Sequence, residues 1–158
     1  MAAAFADDAV LNMEVRTNAI AFPPRTIGLS AIADILVRRF GQTFENVYTL
    51  CLSEPSTREG NEFACDWVVG MSEKASGDVR VGCGTYRWRI TRDTGTIKAL
   101  TIAIDEMVVL PPYTLPHVID WLAALPYPSC GLQDLLAHSP RIEALQPVLT
   151  RLGSAPGN

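Results

Sequence analysis

Histidine is nearly missing from this 158-residue chain: His117 and His138 are the only two. Both fall late in the chain, far in sequence from Cys51, Cys65 and Cys83, and no CxxC spacing occurs. No zinc or other metal site is expected. No run approaches the ~20 apolar residues of a membrane-spanning helix. Basic clusters are missing as well. The nearest is "VRRF" (37–40), whose two arginines fit a solvated helix face. With a formal net charge of −4, a nucleic-acid partner is not expected. The N-terminus has neither the basic start nor the long apolar core of a secretory leader. The four cysteines, with Cys130, therefore read as reduced core thiols of a cytoplasmic protein. A phosphate-cradling loop is lacking too. Gly82 and Gly84 flank Cys83 in "VGCGTY" mid-strand, where glycine bends a strand or makes room beside Val69 and Met71. No cofactor is expected.

What is present is a globular composition. Hydrophobic residues make up 48%, and 158 residues suffice for one domain with a core of its own. Residues 9–15 alternate as a short strand, and "AFPP" (21–24) is extended ahead of its prolines. "TIGLSAIADILVRRFG" (26–41) has Ile32, Ile35, Leu36 and Phe40 at helical spacing, Ser30 as a cap and Gly41 as a stop. Four strands follow at about 43–53, 61–74, 79–91 and 96–108, divided by the turn signals "EPSTREG", "ASGD" and "RDTG". After "LPPYTLP" the period turns helical, with short helices at 117–125, 131–138 and 141–152 and a frayed "GSAPGN" end. The class is α+β, one antiparallel sheet with helices on one face.

Hairpin chemistry sets an expected register. A tight turn at Ser76-Gly77 puts Trp67 opposite Tyr86, and Asp66 opposite Arg87. A three-residue loop, Asp93-Thr94-Gly95, puts Trp88 opposite Leu100 and Tyr86 opposite Ile102. One face then carries Tyr48, Leu50, Phe63, Trp67, Val69, Met71, Tyr86, Trp88, Ile90, Leu100, Ile102 and Ile104, as a core and pocket. The other carries Thr49, Cys51, Asp66, Val68, Cys83, Thr85, Arg87, Arg89, Thr101 and Ala103. The second set is small and semi-polar, suited to solvent or to a second subunit.

"FADDAV", "FPPRTIGLSAIADIL" and the long strands ending in "VGCGTYRWRITRDTGTIKALTI" resemble the nuclear transport factor 2-like superfamily, SnoaL-like branch, over about residues 5–108. That superfamily includes steroid delta-isomerases, scytalone dehydratase, limonene epoxide hydrolase and polyketide cyclases. The resemblance implies a cystatin-like cone, a curved antiparallel sheet wrapped around helices with an apolar pocket inside. It divides the chain into a cone domain at 1–112 and a helical extension at 113–158 packed on the same domain. "FADDAV" then reads as the tail of a helix, an acidic corner of Asp7 and Asp8, and the entry to a strand. The family's long preceding helix has no counterpart here. An internal start is one reading. Cover by the C-terminal helices is the other.

The same resemblance argues against steroid isomerase chemistry. Met13 stands where those enzymes carry a base, Tyr86 where they carry an aspartic acid, and their tyrosine donor lies in the missing region. The histidine–aspartate pair of the dehydratase and the aspartate–arginine–aspartate set of the hydrolase find no match. Tyr86 as a proton donor and Glu14 as a base are the candidate catalytic residues. Met13, Tyr48, Trp67, Val69, Tyr86, Trp88 and Ile102 are expected to line the pocket. The expected function is binding, or converting without a cofactor, a small apolar or aromatic molecule, by isomerase-, dehydratase- or cyclase-like chemistry. The alternative is a non-catalytic dimeric binding or interaction module. A cavity of ~300 Å³ or more with convergent polar groups separates the two. A homodimer is expected on the outer sheet face, with Asp66, Thr85, Arg87 and Arg89 at the interface.

Overall fold

The computed structural model describes residues 3–53 and 60–154, with Ser56–Thr57 as a two-residue strand. Its frame is a curved, open sheet. The strands are β1 (Phe5–Val15), β2 (Arg25–Ile27), β3 (Phe44–Cys51), β4 (Ser56–Thr57), β5 (Glu62–Glu73), β6 (Val79–Ile90) and β7 (Ile97–Leu110). They run in the order β2-β1-β7-β6-β5-β3, with β4 also paired to β5. All pairings are antiparallel except β1 with β7. The expected sheet was antiparallel throughout. A parallel pair needs a long crossover, and the whole chain between β1 and β7 supplies it. Most of the "EPSTREG" break and the "APGN" tail lie outside the described residues.

The stretch "FADD" is strand, where a helix tail and corner were expected. β1 pairs with β7 at Phe5–Ile97 and again from Val10–Ala99, with an irregularity between that holds both aspartates. Asp8 forms an ion pair with Lys98 of β7, and this cation holds its carboxyl below the usual range.

One helical stretch crosses the concave side. α1 (Leu29–Ala33) passes through a π-helical segment (Asp34–Arg39) into α2 (Phe40–Thr43). Gly28, at φ 97°, precedes it with no side-chain cap, so Ser30 is not the cap, and the helix runs past Gly41 to Thr43. The apolar spacing serves as expected: Ile32, Ile35, Leu36 and Phe40 pack on the inner core with Leu11, Met71 and Ile104. Arg38 and Arg39 are exposed and face Asp34 at 3.7 and 2.8 Å.

The C-terminal elements are α3 (Leu115–Ala123), α4 (Leu132–Ala137) and α5 (Gln146–Gly153), with 3-10 turns at Pro112–Thr114 and Glu143–Leu145. They cover the opposite, convex face, where Leu50, Val68, Val79, Val81 and Leu110 meet Val118, Leu122 and Val148. Helices therefore lie on both faces of the sheet, not on one. The reason is legible in β5 and β6: their outward residues at this end are as apolar as their inward ones. Gly70 lets α3 come close, since a Cβ there would lie 2.7 Å from Leu122 Cδ1.

Two registers differ from expectation. The β5–β6 loop spans residues 74–78, with Gly77 at φ 77°, and slides the pairing by two residues. Trp67 faces Gly84, Cys65 faces Tyr86, Asp66 faces Thr85, and Arg87 faces Ala64. A two-residue slide keeps each side chain on its face, so only the partners change. β3 differs more deeply. A bulge between Glu45 and Tyr48, with Asn46 at φ 54°, adds one residue and inverts the alternation beyond it. Tyr48 and Leu50 consequently turn outward, while Thr49 and Cys51 turn inward. The β6–β7 register is as expected, with Trp88 opposite Leu100 and Tyr86 opposite Ile102.

Candidate functional site

Alternation along β5 and β6 stacks three aromatic rings on the concave face. Trp67 lies on Tyr86 with ring centres 5.5 Å apart at 26°, and Tyr86 meets Trp88 at 5.4 Å. Gly84 makes the first contact possible, because a Cβ on it would reach 2.9 Å from Trp67 Cζ2. Facing this ladder are Met13 of β1, Val69 of β5 and Ile102 of β7. Leu36 and Phe40 of the helical stretch and Phe22 of the preceding loop close the far side. Together they surround a cavity of about 340 Å³.

Of the residues expected at the pocket, Met13, Trp67, Val69, Tyr86, Trp88 and Ile102 border this cavity. Tyr48 does not. The β3 bulge sends it to the outer core, where its ring meets Tyr127 at 6.2 Å. The same bulge brings in Val47 and Thr49, which alternation without a bulge assigns to the opposite face. Leu36 and Phe40 were already marked by helical spacing. Phe22, in the extended "AFPP", carries no periodic signal.

The wall is chemically quiet. Thr49 and Tyr86 bring the hydroxyls, and no carboxylate, imidazole, amine or guanidinium borders the cavity among the described residues. Burial raises the Tyr86 phenol above its ordinary range, with the Cys51 and Cys65 thiols adding to it. It is a neutral donor at any ordinary pH. The indole N–H of Trp67 is buried without a hydrogen-bond partner.

Glu14, the expected base, is not in the cavity. It alternates with Met13 and so points to the outer face, where it binds Arg87 at 2.9 Å and Arg16 at 3.1 Å. Asp105 joins this group by accepting from Arg16 and from Arg151 of α5, the latter at 2.7 Å. The expected Asp66–Arg87 pair is not formed within the chain. Asp66 accepts from Thr85 Oγ1 at 3.1 Å, and Arg87 is taken by Glu14. Thr85 and Arg87 border a surface depression with Glu14 and Arg151, and Arg89 borders a second one with Asn12 and Thr101. His117 and His138 lie in the C-terminal helical region, away from both, and the described residues contain no metal-type cluster of three or more ligands.

No family model and no curated protein matches the chain. Solved structures do. An NTF2-like protein from Burkholderia thailandensis E264 superposes with a TM-score of 0.55 at 13% identity, over 66% of this chain and 75% of that one. An NTF2-like protein of unknown function from Exiguobacterium sp. 255-15 gives 0.50 at 20% identity, over 65% and 77%. A computationally designed 17-OHP binder gives 0.51 at 18% identity, over 68% and 81%. At such identities the likeness concerns architecture: the chain has the NTF2-like (nuclear transport factor 2-like) fold.

Proposed function

We propose that this protein holds a small, flat, apolar molecule in the cone, oriented by one hydrogen bond from the Tyr86 hydroxyl. The observation that carries this is the lining: an aromatic ladder, methionine and aliphatic side chains around about 340 Å³, with the Thr49 and Tyr86 hydroxyls and the indole N–H groups as its polar atoms. That volume is at the small end of ligand pockets, roughly 300–1,000 Å³. The void favours a ligand over a purely structural interaction module, whose cone would be filled. Proton abstraction needs a base within hydrogen-bond reach. With Glu14 on the outer face, the lining favours binding over isomerase-, dehydratase- or cyclase-like conversion. That a designed protein of this fold is a 17-OHP binder supports the ligand class without naming the ligand.

The test is a thermal-shift screen with fused-ring ketones, matched hydrocarbons and fused-ring alcohols. A binder raises the melting temperature, because it stabilises the native state alone. Ketones should outperform their hydrocarbons, and Tyr86→Phe should weaken the best ketone about fivefold, the ~1 kcal/mol of a neutral hydrogen bond. A screen in which no ring compound shifts the melting temperature defeats the reading. A Tyr86→Phe variant with unchanged ketone affinity removes the phenol from it.

Two further parts belong to this reading. A homodimer would use the part of the convex face that α3–α5 leave free, around Asp66, Thr85, Arg87 and Arg89. The four free cysteines support a reducing, cytoplasmic setting. Among the described residues no helix is long and apolar enough to cross a membrane.

A further inference from the structure

Beside the aromatic ladder the inward turn of β3 produces a second juxtaposition. Cys51 is the strand partner of Trp67, and Cys65 is the partner of Tyr86. The two cysteines are diagonal neighbours on one face, and their sulfurs lie 3.3 Å apart, with the Cys65 thiol donating to Cys51. A disulfide needs about 2.05 Å, about 1.3 Å less than this separation. The backbone of Cys51 is held meanwhile: its N–H donates to Pro128 O and its carbonyl accepts from Cys130 N, both at 2.9 Å.

We propose that Cys51 and Cys65 form a reversible thiol–disulfide pair, with Cys51 as the attacking sulfur and a small-molecule disulfide as its oxidant. Access selects Cys51: it is partly exposed, while Cys65, Cys83 and Cys130 are buried. Charge selects it too. The Cys65 S–H bond pulls the Cys51 thiol down to about 7, whereas burial pushes Cys83 up to about 12 and raises Cys130. The Cys51 thiolate attacks one sulfur of the small disulfide, forming a mixed disulfide and releasing one thiolate. That adduct removes the partner which held the Cys65 proton. Cys65 then loses its proton and attacks the Cys51 sulfur, forming the protein bond and releasing the second thiolate. Two electrons pass from the protein thiols to the small disulfide, and two protons end on the thiols it yields. The new bond ties the end of β3 to β5, directly beside Trp67 and Tyr86.

The experiment treats the full chain with oxidised glutathione, blocks free thiols with N-ethylmaleimide under denaturing conditions, and maps peptides by mass spectrometry. A single intramolecular bond, Cys51–Cys65, is expected, with Cys83 and Cys130 alkylated. Cys65→Ala should stop at a glutathione adduct on Cys51, and Cys51→Ser should remove the reaction at Cys65. The adduct rate of Cys65→Ala should be lower than the wild-type rate near neutral pH and should level off only at higher pH, because its Cys51 thiol has lost the donated S–H bond. Urea-unfolded wild type should lose the selectivity among the four thiols. A bond involving Cys83 or Cys130, equal labelling of all four in the folded protein, or no reaction at Cys51 overturns the proposal.

Discussion

Gly84 is crowded in β6 by both the Ala103 backbone and the aromatic ladder. A Cβ there would lie 1.8 Å from the Ala103 carbonyl oxygen and 2.9 Å from Trp67. The first contact is with backbone, so no side-chain rotation relieves it. Gly84→Ala should cost about 1–3 kcal/mol, the range for overpacking a filled site. It should lower the urea midpoint with little change in slope. Gly41 makes the opposite case. It sits in α2 with nothing within 4 Å of an added Cβ. Gly41→Ala should stabilise by about 0.5–1 kcal/mol through helix propensity. Midpoints that fail to move in opposite directions would defeat this account. The two glycines are indistinguishable by residue type, and only their neighbours assign the opposite signs.

Among the elements, β3 decides what the cavity contains. Its bulge depends on Asn46, which sits at φ 54° and donates from Nδ2 to the buried Ser72 Oγ at 2.9 Å. Asparagine tolerates the left-handed region, while a β-branched residue does not. Asn46→Val should therefore destabilise by about 1–2 kcal/mol from the backbone alone, and lose the hydrogen bond as well. Asn46→Gly loses only the hydrogen bond and should be the milder variant in the same melt. Equal stability of the two would mean that the bulge does not rest on the Asn46 backbone. The bulge also links the two proposals. By turning β3 over, it delivers Thr49 to the cavity and Cys51 to Cys65.

For the molecule as a whole, the sheet separates two cores. The concave one surrounds the cavity and the convex one is sealed by α3–α5. The outer-face residues that suggested a dimer thus have three fates, of which the first is the inward turn of Thr49 and Cys51 at the β3 bulge. Val68 and Cys83 are covered by the chain's own helices. Asp66, Thr85, Arg87 and Arg89 are left beyond them, and the proposed homodimer is confined to that end. Arg87 is already neutralised by Glu14 in its own chain, which leaves Arg89 as the better probe. Sedimentation should give a dimer at micromolar concentration. Arg89→Glu should shift it toward monomer, and Arg39→Glu on the distant helix should not. A wild-type monomer at micromolar concentration rules the dimer out.

The strands from 62 to 110, the amphipathic helix and the C-terminal helical run were legible in the residues. Period, turn chemistry and glycine placement are local signals, and the elements they mark end within a few residues of expectation. The inward set Trp67, Val69, Tyr86, Trp88 and Ile102 was legible for the same reason, and the two-residue slide of the β5–β6 hairpin leaves it on its face. Tertiary structure alone decided the rest. A one-residue bulge leaves no periodic mark, yet it exchanged Tyr48 for Thr49 at the cavity and brought two cysteines together. Alternation with Met13 already turned Glu14 from the pocket, and tertiary structure added its partners, Arg16 and Arg87. The sheet face that the C-terminal helices would cover was equally out of reach, because it depends on contacts between residues about fifty apart in the chain.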